Sequence, residues 1–332
     1  MNIAIVSDAW RPQTNGVVTT LARTAACLET FGHRVRVLGP EAFRSVPCPT
    51  YPEIRLSLAP GRGLADFLDE FAPDAVHVAT EGPLGLAARR QLRRRGWRFT
   101  TSYHTQFPQY LRARAPIPLG WSYAALRWFH SAAARVMVNT PHVRDELAAH
   151  GFANLVHWTR GVDATLFRPR EKAFLDLPRP VFACVGRVAV EKNVEAFLSL
   201  DLPGTKLVVG GGPALEEMRR RYPEAVFTGY RFGEELAATL AAADVFVFPS
   251  LTDTFGLVML EAMACGVPVA AFPVTGPLDV VVPGVTGVLD RDLRRAALAA
   301  LELDPQACVA HARRHTWEAA TRQFEGHLAA AR

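Results

Sequence analysis

Cysteine is scarce in this chain of 332 residues: Cys27, Cys48, Cys184, Cys265 and Cys308 are odd in number, widely spaced and include no Cys-x-x-Cys pair. A disulfide framework and a thiolate zinc site are therefore not expected, and the composition points to a reducing cytosol. Long apolar runs are also missing. Residues of hydrophobic type make up 49% of the chain, yet every 18-residue window is broken by charge, proline or a glycine cluster, so no spanning helix is expected. The apolar start from Met1 to Val6 is short, lacks a preceding basic region and runs into Asp8, which argues against an export signal and for a cytoplasmic protein. Only 21% of residues are charged, so disorder is excluded and the length suits about two domains.

Lysine is nearly absent, with Lys172, Lys192 and Lys206 standing beside 34 arginines. Where arginine is the habit, a retained lysine hints that a compact ammonium is wanted. Charge is also uneven: residues 1–170 hold 21 Arg and no Lys against 12 acidic residues, a net +9, and the remainder nets −4. The basic half is suited to an anionic partner, either nucleic acid or an anionic membrane. Several catalytic patterns are missing too: there is no Gly-x-Ser-x-Gly elbow, no Walker loop and no His-Glu-x-x-His. The pair Asp290 and Asp292 precedes a helical run and reads as N-capping. No obligatory metal or cofactor is expected.

What is present is an alternation of short β-branched runs with helical patterns, the mark of parallel βαβ units. The strands expected are Asn2–Ser7, Val35–Leu38, Ala75–Val78, Phe99–Ser102 and Val136–Val138, then Val181–Val185, Leu207–Val209, Ala225–Thr228, Val245–Phe248 and Val267–Ala271. The proline-bearing stretch from Phe167 to Pro180 separates the two series and reads as a linker. The expected fold is α/β, with two Rossmann-like, doubly wound parallel-sheet domains over residues 1–168 and 169–332 and a C-terminal helix able to pack back on the first. Ligands of such sheets bind at the carboxyl ends of the strands.

The densest signal is Val245-Phe-Val-Phe-Pro-Ser-Leu-Thr-Asp-Thr-Phe-Gly-Leu-Val-Met-Leu-Glu-Ala-Met-Ala-Cys-Gly-Val-Pro268. A strand, a polar turn and a helix start follow one another, so the amides from Thr254 through Phe255, Gly256 and Leu257 to Val258 face a ligand oxygen. Glu261 lies one turn into that helix among apolar neighbours and needs a partner, such as a ribose diol. An ion pair with arginine or the capping of another helix would serve it equally. Asp253 stands eight residues earlier, either as an N-cap or in the ligand loop. Upstream, Gly186-Arg187 ends a strand and Lys192 opens the next helix, so two cations converge at a sheet edge as a diphosphate site would require. Val209-Gly-Gly-Gly-Pro213 is half of a dinucleotide fingerprint. With Leu215 where its last glycine belongs, Gly211 and the Thr228-Gly-Tyr230 run are read as a nucleobase edge rather than a dehydrogenase site.

In the first domain, Asp8 to Val17 forms a loop in which Asn15-Gly16 turns tightly into a helix and points at the phosphates. His104 follows a strand in Ser102-Tyr-His-Thr-Gln-Phe-Pro and is singled out from ten histidines by that position, against a structural role bonded to a backbone carbonyl.

Together these residues resemble the retaining glycosyltransferases of family four, of the type called GT-B. The resemblance covers most of the chain and includes Glu191-Lys-Asn193 and Arg160-Gly-Val-Asp163 with Phe167 and Pro169, which matches a hinge segment. The family's paired glutamates are replaced here by Asp253 and Glu261, shortening the first by one methylene. The resemblance implies that Arg187 and Lys192 hold the diphosphate of a nucleotide sugar, Glu261 the ribose, Asp253 and the amides after it the sugar, and His104 the sugar near its reacting carbon.

Within the family, Trp10-Arg-Pro-Gln-Thr-Asn-Gly-Val-Val18 is similar to the lipid-glycosylating and GDP-mannose-dependent branch. It implies a hexosyltransferase using a UDP-glucose-type or GDP-mannose donor, with a membrane lipid such as diacylglycerol as acceptor and no nucleic acid. Arg89, Arg90, Arg93 and Arg94 share one face of a helix, while Phe107, Tyr110, Trp121, Tyr123, Trp128 and Phe129 lie in a stretch flanked by Arg112, Arg114 and Arg127. Basic and aromatic residues together suit a peripheral protein on the inner face of the cell membrane. The competing readings are a solvated arginine face over an aromatic core, a sugar-nucleotide epimerase of the same architecture, and a transferase acting on a soluble or polysaccharide acceptor.

Overall fold

The alternating pattern resolves, in a computed structural model that describes residues 1–48, 51–114 and 118–332, into two six-stranded parallel sheets, one per unit. The first unit contains β1 (Asn2–Val6), α1 (Gly16–Thr30), β2 (Arg34–Leu38), β3 (Ser45–Cys48), β4 (Tyr51–Ser57), α2 (Gly61–Phe71) and β5 (Ala75–Val78). It continues with α3 (Pro83–Arg94), β6 (Thr100–Tyr103), α4 (Phe107–Arg114), α5 (Leu119–His130), β7 (Arg135–Val138), α6 (Pro141–Ala149) and β8 (Leu155–His157). The second unit holds β9 (Val181–Val185), α7 (Val194–Leu198), β10 (Thr205–Val209), α8 (Leu215–Arg221), β11 (Val226–Gly229), α9 (Gly233–Ala242) and β12 (Val245–Phe248). It ends with α10 (Leu257–Ala264), β13 (Val269–Ala271), α11 (Pro277–Val280), β14 (Gly287–Leu289), α12 (Leu293–Ala300) and α13 (Pro305–Ala312), and α14 (Trp317–His327) belongs to the first unit.

The sheet orders are β2-β1-β5-β6-β7-β8 and β11-β10-β9-β12-β13-β14, so strand order reverses at β1/β5 in one unit and at β9/β12 in the other. Such reversals part the loops that follow the two strands and open a crevice at their carboxyl ends. Central strands are buried on both faces, as in Ile3 to Val6 and Val245 to Val247, all 0% exposed, which is why they read as continuous apolar runs rather than alternations.

Five elements, β3, β4, β8, β14 and α4, escaped the sequence pattern. The β3–β4 hairpin carries Pro47 and Pro52 and pairs antiparallel outside the main sheet. β8 and β14 are three-residue edge strands, too short to show a period, and α4 begins on Phe-Pro.

The division between units falls after Arg160, eight residues before the expected boundary, and the second unit ends at Thr316. The stretch from Phe167 to Pro180 is fastened within the second unit rather than acting as a loose linker. Phe167 enters the core beside Val162, Lys172 donates to the Ala243 carbonyl at 2.6 Å, Arg179 pairs with Asp244, and Asp244 also accepts from the Val181 amide at 2.7 Å. Apolar anchors and one shared carboxylate outweigh the disorder that prolines and charges suggest.

On α3, Leu84, Ala88 and Leu92 face the core and Arg90, Arg93 and Arg94 face solvent. Arg89 departs from that face. It is 5% exposed, its Nε and Nη2 donate to the carbonyls of Phe129 and Trp128 at 2.9 Å each, and its guanidinium lies 3.9 Å from the centre of the Trp128 ring. The last carbonyls of α5 lack helical partners, and a guanidinium satisfies two at once. The aromatic stretch divides likewise: Phe107, Trp121 and Trp128 are exposed, while Tyr123 and Phe129 are buried. The side chains of Tyr110 and Arg114 lie outside the described ones. Among the described residues no helix is long and apolar enough to cross a membrane.

Candidate functional site

At the β9/β12 reversal, two loops of the second unit are stitched together by their own polar side chains. Asn193, in the left-handed conformation, donates from Nδ2 to the Pro249 carbonyl at 3.1 Å, and Ser250 and Thr252 donate to the Glu191 carbonyl at 3.3 and 3.4 Å. The result brings Lys192 Nζ to 2.5 Å from Asp253 Oδ1, joining residues 61 apart in sequence. Both side chains are partly sheltered, at 27% and 16% exposure. The second carboxylate oxygen, Asp253 Oδ2, is buried and accepts no hydrogen bond. A sheltered carboxylate oxygen left so is costly in the folded chain, and it is an acceptor prepared for a hydroxyl donor.

Asp253 does not cap the following helix. That place is taken by Gly256, whose φ of +81° admits no ordinary side chain and whose added Cβ would lie 2.9 Å from the Phe248 ring. Thr254 and Phe255 are buried, Leu257 is the first residue of α10, and the first amides of a helix have no partner within it. Glu261 is half-buried one turn on, less enclosed than its apolar neighbours implied. Gly186 is exposed and Arg187 half-buried at the end of β9. Gly210 (φ +142°) passes so close to this turn that a Cβ would meet the Gly186 carbonyl at 1.8 Å. The Tyr230 hydroxyl donates to the Gly211 carbonyl at 2.9 Å, so that carbonyl is occupied, and the Tyr230 ring, stacked on Phe232, supplies the exposed surface.

In the first unit the expected tight turn at Asn15-Gly16 is a helix cap. Asn15 is extended, its Oδ1 accepts from the amides of Val17 and Val18 at 3.0 Å each, and Gly16 is the exposed first residue of α1. Its side-chain oxygen is thereby committed to the helix. Asp8 does similar work across the β1/β5 reversal: its carboxylate accepts from the amides of Leu84 and Gly85 and from the Thr80 hydroxyl at 2.8 to 3.1 Å. Burial pushes its pKa up against those bonds.

His104 stands just beyond β6, half-buried, with Nε2 2.8 Å from Ser102 Oγ and Nδ1 3.2 Å from Arg160 Nη2. Burial, then the Arg160 charge, depresses its pKa well below the ordinary value. Arg160 was read from sequence as part of a hinge. It is 2% exposed and bonded to the carbonyls of Trp158 and Thr159 at 2.7 and 3.0 Å, and burial brings its pKa down to about 9. Sequence reasoning missed this residue and also His77, both buried beside His104. The available signal was an arginine and a histidine inside otherwise apolar strand-end segments.

Residues 14–166 match the family profile described as Glycosyltransferase Family 4, and residues 179–303 match Glycosyl transferases group 1. A GDP-mannose-dependent alpha-mannosyltransferase of Mycolicibacterium smegmatis is 33% identical over 315 residues, which are 87% of this chain and 84% of that protein. This chain belongs to glycosyltransferase family 4. It is a hexosyltransferase by that membership, which removes the epimerase alternative. A second relative of this glycosyltransferase, the sulfoquinovosyl transferase SQD2 of Arabidopsis thaliana, is 33% identical over 74% of this chain and 51% of its own length. Among solved structures, sucrose-phosphate synthase from Thermosynechococcus elongatus superposes with a TM-score of 0.81 at 21% identity, covering 98% of this chain and 97% of that one. The catalytic domain of starch synthase IV from Arabidopsis thaliana gives 0.69 at 15%, covering 98% of each. These likenesses concern the fold, which is GT-B.

Proposed function

We propose that this glycosyltransferase moves a hexosyl group, mannose from GDP-mannose before glucose from a UDP-sugar, to a lipid hydroxyl such as that of diacylglycerol, with retention at the anomeric carbon. The observation that carries the donor half is the Lys192–Asp253 contact at the β9/β12 reversal with its uncommitted Asp253 Oδ2. In this reading Arg187 and Lys192 neutralise the diphosphate as the bond between it and the anomeric carbon breaks, the acceptor hydroxyl oxygen bonds that carbon and the hydroxyl proton passes to the departing phosphate oxygen. Two cations at the leaving group supply the charge that a metal supplies elsewhere, so no metal is needed. Asp253 accepts from a sugar hydroxyl, the amides from Thr254 to Val258 face sugar and phosphate oxygens, and Glu261 accepts from the ribose diol. Gly186 lets the backbone pass close to the phosphates, and Tyr230 offers a ring to the base. Asn15 and Gly16 act by setting the start of α1, and His104 contacts the sugar. The preference for mannose follows the name of the relative that spans most of this chain.

The lipid half rests on one face of the first unit. Leu86, Arg89, Arg90, Arg93, Arg94 and Trp128 line a groove of about 510 Å³, and Trp121 is 76% exposed one heptad before Trp128 on α5. Guanidinium groups beside exposed indoles suit an anionic headgroup layer, where each basic residue contributes ~1 kcal/mol. On the enzyme incubated with GDP-mannose, UDP-glucose and ADP-glucose, with anionic or neutral vesicles containing diacylglycerol, mass spectrometry is expected to find a mannosyl lipid on anionic vesicles and turnover unchanged by EDTA. Arg90, Arg93 and Arg94 together changed to Gln should release the enzyme from vesicles without weakening GDP-mannose binding. Full-rate transfer to a soluble acceptor, with both vesicle types ignored at low salt, would overturn the lipid half and leave the donor half standing.

A further inference from the structure

The first unit holds a chain of side chains whose hydrogen bonds run in one direction. Its members are Arg160 and His104, beyond the carboxyl ends of β8 and β6, then Ser102 within β6, His77 within β5 and Thr100 at the start of β6. Arginine has no acceptor, so Arg160 Nη2 must donate to His104 Nδ1, which then carries no proton. His104 in its neutral form therefore keeps its proton on Nε2 and donates it to Ser102 Oγ. The Ser102 hydroxyl, having accepted from His104, has one hydrogen to give and two acceptors beside it, His77 Nε2 at 3.1 Å and the Ala79 carbonyl at 3.4 Å; the nearer takes it, and His77 Nδ1–H then donates to Thr100 Oγ1 at 2.9 Å. Each ring has one proton and one acceptor, and each is matched to its neighbour without conflict.

A second proton on either ring breaks this order. On His104 it would set an N–H against a guanidinium N–H at 3.2 Å and place two cations together away from water. The charged and titratable groups that act on the ring include Arg160 from the segment after β8, His77 from β5, and His130 from the end of α5, which is turned to Glu81 at 3.1 Å. Among the described residues Arg160 has no carboxylate partner. Its charge is met by two carbonyls, His104 and the Trp158 face 4.1 Å away. Trp158 and Phe324 wall the cluster, with His77 edge-on to Phe324 at 4.8 Å. His77 itself is 0% exposed, and its pKa is pushed down to about 3, first by burial.

We infer that Arg160, Ser102 and His77 are positioning residues that hold His104 uncharged and in the Nε2–H tautomer. The catalytic consequence rests on the proposed function, in which His104 touches the sugar. A carbon gaining positive charge as the diphosphate leaves is served by a neutral imidazole and opposed by an imidazolium.

The test has two independent readouts. Nitrogen NMR of histidine-labelled wild-type enzyme, free of substrate, is expected to show His104 with a protonated Nε2 and an acceptor Nδ1 unchanged between about pH 5 and 8. A His104 that titrates near its ordinary value, about 6.5, or that carries its proton on Nδ1, overturns the inference. The second readout is the pH profile of kcat. Arg160→Met removes one of the causes that keep His104 uncharged and leaves its burial, so the imidazole should protonate at higher pH than in wild type and add an acid limb, with a several-fold loss at about pH 5.5 relative to about pH 8 that wild type lacks. Arg160→Lys keeps a cation there and should lack that limb. It also serves if the methionine variant does not fold, since a lysine variant with the acid limb contradicts the inference. An Arg160→Met enzyme that is folded and has the wild-type profile also refutes it. Absence of turnover with every nucleotide sugar would refute the proposed function instead, and the NMR result would still decide the tautomer.

Discussion

At the carboxyl edge of the second unit's sheet, a lysine and an aspartate from two loops meet at 2.5 Å and leave one carboxylate oxygen without a partner. From the carboxyl edge of the first unit's sheet inward, an arginine is buried against carbonyls, an indole face and a neutral imidazole, and the ring nitrogens and hydroxyl oxygens from His104 to Thr100 each have a partner, while the Trp158 indole N–H beside them is buried without one. The first arrangement has capacity to spare for a ligand. The second spends its capacity internally, on fixing one imidazole. Charge that is to meet a substrate is left partly exposed on loops, whereas charge that is to order a neighbour is buried on strand ends, where it has few alternatives.

That contrast predicts that the two edges fail differently. Phe324→Ala should have the largest effect on stability, about 3–5 kcal/mol by denaturant unfolding, since the side chain is 0% exposed and walls His77 and Trp158. A loss below 1 kcal/mol would mean that α14 is not part of that core. Lys192→Met and Arg187→Ala should each cut turnover ~10²-fold or more, worth about 3 kcal/mol in the transition state, with thermal unfolding unchanged. Equal losses of stability and activity would make the Lys192–Asp253 pair a structural one.

A pH titration sharpens the same comparison. His77 is neutral in the folded protein and protonates near 6.5 when unfolded, so below that pH the unfolded chain binds the extra proton. Its contribution is complete above about 6.5 and is lost as pH falls toward its folded value of about 3, with a slope near 1.4 kcal/mol per pH unit. Unfolding of wild type should show this acid sensitivity, and a flat profile between pH 7 and 5 would contradict the buried neutral imidazole. The smallest effect is expected at Glu261. Changing it to Gln should weaken donor binding about tenfold in calorimetry and leave the unliganded melting temperature unchanged or raised, since in the proposed function this half-buried carboxylate accepts from the donor ribose.

How much could be read from sequence follows from the same division. Asp253, Glu261, Arg187 and Lys192 lie on strand–loop–helix transitions, and those transitions are written locally in the apolar period and in Gly256. His77 and Arg160 become meaningful only once β5 is set beside β6 in the register that opposes His77 to Thr100. That register is a tertiary fact with no local trace. Arg89 misled for a related reason. Helical spacing groups it with Arg90 and Arg93, but the unpaired carbonyls at the end of α5 draw it inward. Asn15 is the reverse case, where a residue suggestive of phosphate contact had a nearer duty as the cap of α1.

The central claim is that the second unit's edge is a nucleotide-sugar site in which Lys192 carries the leaving diphosphate. It is tested most directly by measuring turnover of GDP-mannose, UDP-glucose and ADP-glucose by wild type and Lys192→Met side by side, with lipid vesicles present. The account predicts that wild type consumes GDP-mannose and that the variant, folded as before, does so at least ~10²-fold more slowly. Consumption of no nucleotide sugar by wild type, or equal rates in the two proteins, would contradict it.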